Sequence, residues 1–293
     1  MNIKEWVQDN TIHRIVAGSH LYGTNRPGSD VDVRGVCLAP PETLIGLSEF
    51  KQYQKEGEDW VIYELRRFCS LALNANPNIL DLLMAPEDTW KIWDKRWGII
   101  YENRQAFLSQ KVRYTFSGYA VSQLKRIQRH RKWLVDPPDH KPSQTEYEGT
   151  WDGSTYQFPK VAREKEYQAA CQKWSNYQRW LKERNPKRAA LERQFGYDTK
   201  HASHLVRLML QAVKLLRDGT YTPRLFDTDL KTVLNVLNGR WDYEVLIPWA
   251  EDMDKRIHEM SSILTKRPDR NLVEQLCMKI YLNELTKIKE YKR

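Results

Sequence analysis

Two aspartates one residue apart, Asp30 and Asp32, follow the pair Gly18-Ser19 by eleven residues. On a strand, residues two apart project to the same face, so a strand over 31–38 (VDVRGVCL) predicts Asp30 and Asp32 side by side, with Val31 and Val33 packed behind them. Adjacent carboxylates repel unless a cation lies between them. Mg²⁺ held by a few carboxylates usually also holds a substrate phosphate. Gly18 lets the backbone approach such a phosphate closely, and Ser19 offers it an N–H and a hydroxyl. A calcium loop is excluded, because its fifth position would be Arg34 and its twelfth Pro41, where a bidentate Glu is needed. A bare D-x-D also suits two exposed aspartates at the mouth of a turn. Its linkage to Gly18-Ser19 favours a two-metal phosphoryl- or nucleotidyl-transfer site. A third carboxylate is then expected from a neighbouring strand, and Asp59 and Glu64 on DWVIYEL are the candidates. Their odd offset puts them on opposite faces. Asp59 is preferred because it opens the strand in register with the D-x-D.

The elements that must hold these residues follow from the pattern around them. Residues 12–17 (IHRIVA) read as a strand and 24–29 (TNRPGS) as the turn before the next. Residues 50–54 and 59–65 read as a hairpin through Glu56-Gly57-Glu58. From Arg66 the period becomes helical, with a stop at Asn76-Pro77 and a second helix through Ile79, Leu80, Leu82 and Leu83, on which Asp81 reads as a buried hydrogen-bonding partner. After Pro86 the character is helical: a mixed basic and apolar stretch over 104–134, then helices over 161–184, 200–217, 227–238, 243–264 and 270–290. Residues 135–160, rich in proline, read as a loop or mobile insert. The expected fold class is α+β: a small mixed-sheet core over 1–90, then a mainly helical region over 91–293 that closes the cleft.

The chain of 293 residues carries a formal charge of +9, which favours a polyanionic partner, RNA or DNA first. Cys37, Cys69, Cys171 and Cys277 lack CxxC spacing and read as reduced thiols of a cytoplasmic protein rather than a zinc site. No apolar run approaches the roughly 20 residues of a membrane span, so no membrane partner is expected. Residues 1–10 are polar and charged, unlike a signal peptide.

The stretch GSHLYGTNRPGSDVDVRGV resembles the signature of the DNA polymerase β-type nucleotidyltransferase superfamily, which pairs a Gly-Ser with a later hDxDh. Within it, the chain is similar to the nucleotidyltransferases that accompany RNA ligases in RNA-repair gene sets and occur in phages. The likeness continues through YELRRFCSLALNANPNILDLL, FSGYAVSQLKRI and GYDTKHASHLVRLMLQAVKLL, spanning residues 15–217. It implies Gly18 and Ser19 as the phosphate-binding pair and Asp30 and Asp32 as metal ligands. Asp59 against Glu64 stays open as the third. Two Mg²⁺ ions, replaceable by Mn²⁺, are the implied cofactor.

Several residues support this reading, each beside a plainer one. Arg34 contacts the triphosphate or balances the acidic cluster. Tyr22, with Asn25 and Arg26, shapes the nucleotide pocket or belongs to a turn. Lys125, Arg129 and Lys132 share a helix face that binds triphosphate or RNA, or is simply solvated. Lys200, His204 and Arg207 share another face. The resemblance implies that it grips phosphates or the acceptor; the alternative is an interhelical polar network. His201 and His204 alone lack the ligands for zinc.

The expected activity is transfer of a nucleoside monophosphate from an NTP to an acceptor hydroxyl with release of pyrophosphate. The favoured acceptor is an RNA 3′ end, such as that of a damaged tRNA. Transfer to a protein or small-molecule hydroxyl, or RNA binding without catalysis, are the alternatives.

Overall fold

The computed structural model describes residues 2–290. Helix α1 (Ile3–Asn10) is capped by the Asn2 side chain and leads into strand β1 (Thr11–Val16). A short helix α2 (Gly18–Tyr22) follows directly, then strand β2 (Val33–Cys37), helix α3 (Pro41–Ile45), strand β3 (Gln52–Gln54) and strand β4 (Trp60–Glu64). Helices α4 (Leu65–Leu73) and α5 (Pro77–Leu83), strand β5 (Trp90–Trp93) and helix α6 (Lys95–Glu102) complete the first part. The sheet order is β3-β4-β2-β1-β5. β2 and β4 run parallel and the other pairs antiparallel, so the sheet is mixed.

The remainder is helical, apart from a hairpin of β6 (Thr150–Trp151) and β7 (Tyr156–Gln157) inside the expected loop. It comprises α7 (Val112–Val135), α8 (Val161–Glu183), α9 (Pro186–Phe195), α10 (Thr199–Asp218), α11 (Asp227–Leu237), α12 (Tyr243–Glu259) and α13 (Arg270–Glu290). The α+β class with a helical second part is as the sequence predicts.

Alternation along the strands splits the sheet between two packing environments. Ile12, Ile15 and Val36 join a core continuous with α4, α5, α7, α10 and α12. Cys37 and Ile62 pack instead with Val7 of α1. α10 packs along α7, and its buried Leu205, Leu208, Met209, Ala212 and Leu215 tie the helical part to the sheet. One core therefore crosses residue 90.

Four expectations change. β2 begins at Val33, so both aspartates precede the strand rather than lie on it. Val31 is 58% exposed instead of packed behind them. A fifth strand, Trp90–Trp93, extends the sheet past Pro86, where a helix is expected. Only Trp90-Lys91-Ile92 alternate before Trp93 breaks the period, too short a signal to read as a strand, and His13 of β1 stacks on Trp97 beside β5 at 4.4 Å. α9 is also additional. It starts with Asn185 accepting hydrogen bonds from the Lys187 and Arg188 N–H groups and with proline at its first turn, the same cap that Asn76-Pro77 gives α5.

Candidate active site

Asp32 is pinned from both sides by backbone. Its carbonyl accepts the Ala17 N–H of the chain leaving β1 at 2.8 Å, and the next N–H, of Val33, donates to the Asp59 carbonyl at 2.8 Å. Parallel pairing sets Val33 opposite Trp60, so the residue before each strand stands beside the other. The Asp32 and Asp59 carboxyls lie close enough to share a proton, and each acts on the other's titration. Burial raises the Asp32 carboxyl to about 6, and the hydrogen bond and charge of Asp59 add to this. Asp59 is held low, first by the hydrogen bond from Asp32 and then by Arg34. Lys200 acts on both through its charge.

The Gly18-Ser19 turn lies against this pair. Gly18 has φ +61°, and a Cβ there would fall 1.6 Å from Asp32 Oδ2. Glycine is therefore required twice, by its conformation and by the carboxylate beside it. Gly18 and Ser19 open α2 and line the cleft with Asp30, Asp32 and Asp59.

Asp30 stands apart. It is exposed, and its Oδ1 lies 3.8 Å from Lys187 Nζ of α9. Among the described residues, no group of three or more His, Cys, Asp and Glu side chains converges as a preformed metal site. The two remaining carboxylate candidates separate cleanly. Glu64 lies at the far end of β4 and is 2% exposed. Its carboxylate caps α4 through the Arg66 and Arg67 N–H groups and accepts the Tyr281 hydroxyl. Asp59 stands with Asp32.

Arg34 takes the balancing position. It donates to the Asp59 backbone carbonyl at 2.9 Å and to Asp59 Oδ1 at 2.6 Å. Lys125 lies outside the cleft lining. On α7 the lining residues are Gln123 and Arg126, and one helical step of about 100° turns Lys125 away from them. Lys200 and His204 line the cleft, as do Lys187 and Arg188 of α9, which sequence reading missed along with α9 itself. The signal was present in Asn185-Pro186, followed by two basic residues in the first turn. Desolvation holds His204 well below the usual imidazole range, with Arg207 adding to it. Desolvation likewise lowers His201 to about 4.

Arg207 and Tyr22 form the cleft floor. Arg207 is 2% exposed and its guanidinium lies 3.7 Å from the Tyr22 ring centroid. It donates to Gln211 Oε1 at 2.7 Å and to Asp81 at 3.4 Å, and its Nη2 lies 3.1 Å from His204 Nδ1. Asp81 also accepts the hydroxyls of Tyr22, at 2.8 Å, and Tyr221. For Arg207 the polar-network alternative is what the geometry displays, and Tyr22, at the end of α2 rather than in a turn, joins the same network at the cleft. The whole cleft encloses about 1050 Å³. Its sheet side carries Gly18, Ser19 and the aspartates. Its helical side carries Arg126, Lys187, Arg188 and Lys200, over the apolar Leu191, Val233 and Leu237.

Residues 1–143 match the family described as the RNA repair pathway DNA polymerase beta family, RlaP. This match covers the sheet, both aspartates and Asp59, and stops short of α8 and everything after it. An uncharacterized 38.9 kDa protein from the nrdC-mobD intergenic region of Enterobacteria phage T4 is 28% identical over 130 residues. That alignment covers 40% of this chain and 38% of the phage protein. No helix among the described residues is long and apolar enough to cross a membrane.

Proposed function

With its first 143 residues matching a polymerase β-type family of RNA repair, the chain is, we propose, a nucleotidyltransferase that moves a nucleoside monophosphate from an NTP to an RNA 3′-hydroxyl. One observation carries this reading. The Gly18-Ser19 turn abuts a carboxylate pair, Asp32 and Asp59, in a cleft whose opposite wall is basic. A triphosphate needs a close backbone approach on one side and cations on the other, and the acceptor hydroxyl needs a base.

The donor set fits a divalent cation in part. Asp32 and Asp59 share a proton position that a cation would take over. Asp30 stands outside, in an exposed segment, and would have to turn from Lys187 to join them. When bound, Mg²⁺ would neutralise the triphosphate and lower the pKa of the acceptor hydroxyl. The chain's own groups do the rest. Ser19 and the start of α2 orient the phosphates. Lys187, Lys200 and Arg126 attract and hold their charge from the helical wall. Arg34 keeps Asp59 ionised. The acceptor oxygen forms its bond to the α-phosphorus as the bond to the bridging oxygen breaks. Pyrophosphate leaves, and the hydroxyl proton passes to Asp32, the carboxylate that burial makes the stronger base of the two.

The test is incubation with each of the four NTPs, labelled on the α-phosphate, with Mg²⁺ and 3′-hydroxyl RNA. Label in RNA, absent when the 3′ end is phosphorylated, is the expected result. Label in protein instead moves the acceptor to a protein hydroxyl. No label in any acceptor overturns the reading.

A further inference from the structure

α7 passes the cleft at Arg126 and continues outward to Val135, and α8 brings the chain back to Lys187 and Arg188, which line the same cleft. Both roots of this arm are therefore cleft residues. α8 spans 23 residues, about 34 Å of helix, without one buried side chain. The helix has no core face and is held along one edge by ring contacts, which leaves most of its surface open.

Its attachment to α7 is an aromatic cluster. Trp133 lies 5.2 Å from Trp180 between ring centroids, and Trp180 is 5.9 Å from Tyr177, with Trp174 beyond at 6.2 Å. Arginines cover the two junction rings, Arg184 at 4.3 Å from the Trp180 centroid and Arg129 at 5.8 Å from that of Trp133, while Trp174 at the outer end carries no arginine among the described residues. Among the described residues, Lys125 and Lys132 of α7 and Lys173, Arg179 and Lys182 of α8 make no ion pair, although neighbouring Arg184 and Arg188 do. Uncompensated cations interleaved with ring faces suit a single nucleic-acid strand, with phosphates on the cations and bases on the rings. A protein interface is depleted in lysine, whereas Lys125, Lys132, Lys173 and Lys182 stand along this arm without an ion pair among the described residues.

We propose that the α7–α8 arm is the docking surface for the RNA acceptor, leading its 3′ end past Arg126 and Lys187 into the cleft. The proposal rests on the reading of the cleft as an RNA nucleotidyltransferase site and adds where the strand lies outside it.

The experiment uses the full chain and a fluorescein-labelled single-stranded RNA with a free 3′-hydroxyl. Binding is followed by anisotropy across a KCl series, and binding of a fluorescent NTP is measured in parallel. The triple substitution Lys173→Ala, Arg179→Ala, Lys182→Ala changes only exposed α8 side chains. It should lower RNA affinity by about tenfold or more and make log K against log[KCl] shallower by about two, from a slope of about 0.7 per phosphate. Trp174→Ala should lower RNA affinity about tenfold and leave that slope unchanged. Neither variant should alter NTP affinity. Unchanged RNA affinity in both variants, or no RNA binding by the wild type at low salt, overturns the proposal. Label transfer to RNA with an RNA KM unmoved by the triple substitution leaves the proposed activity standing and removes the arm. Arm-dependent RNA binding without transfer does the reverse.

Discussion

The cleft holds two carboxylate clusters built to opposite ends. At its rim Asp32 and Asp59 face each other half exposed, with Arg34 committed to only one of them. At its floor Asp81 is 3% exposed and accepts from Tyr22, Tyr221 and Arg207 together. The floor saturates its charge with donors from α2, α10 and the chain after it, which joins sheet to helices. The rim leaves one carboxyl in excess, and burial lifts its pKa. Such an unsaturated pair costs stability and keeps donor capacity for a ligand, whereas a saturated one gives up chemistry for cohesion.

Substitutions on each side test that contrast. Asp32→Asn keeps the shape and removes the excess charge. It should cut nucleotide transfer by about a thousandfold, equal to about 4 kcal/mol of barrier, while the unfolding midpoint in urea stays level or rises. Near-normal transfer would remove the rim from the chemistry. Asp81→Ala should do the converse at equilibrium. It leaves Arg207 buried without its carboxylate and should lower unfolding free energy by about 3 kcal/mol in urea titrations. A loss under about 1 kcal/mol would mean that the floor does not depend on that ion pair. The smallest effect is a pH dependence. The folded pKa of Asp32, about 6, lies above the ordinary aspartate value of 3.8 that holds in the unfolded chain. Between these values the folded state binds the extra proton, so stability falls as pH rises through the window. Asp32→Asn lacks this slope and should gain on the wild type by about 1 kcal/mol from pH 4 to 7, the figure being reduced for the half-exposed position. Parallel curves for the two proteins would show that the rim pair is not strained.

The sequence carried the rim better than the floor. Gly18, Ser19, Asp32 and Asp59 are close in sequence to strand ends, and their spacing survives as proximity. The D-x-D misled in one respect. A strand reading makes its aspartates equivalent, but only Asp32 is clasped by Ala17 and Asp59 backbone, while Asp30 follows the Pro27-Gly28 turn into solvent. Glu64 kept its place as a candidate because strand parity says nothing about which end of a strand meets the cleft. The cap of α4 decided that. Tyr22 read as a loop residue near the phosphate turn and Arg207 as cleft-facing through the resemblance, while Asp81 read as a buried hydrogen-bonding partner; that Asp81 is what joins the two is a contact among three elements that no local pattern shows. Lys187 was missed for a simpler reason: α9 is short and weakly periodic, and its signals were its two ends, the Asn-Pro start and the left-handed Gly196 stop.

The parallel pairing of β2 with β4 has a consequence in time. Had these strands met as a hairpin, Asp59 would sit at the opposite end of the ladder from Asp32. Because they run the same way, the two meet only after the intervening chain has looped back, a closure between residues far apart in sequence. During synthesis, a nascent chain can form β1, α2 and β2 and expose Asp32 with no counterpart. That closure makes the carboxylate pair and delivers Arg34's partner at one stroke, and the basic wall from Arg126 to Lys200 comes later still, so an unfinished chain carries the motif without the chemistry.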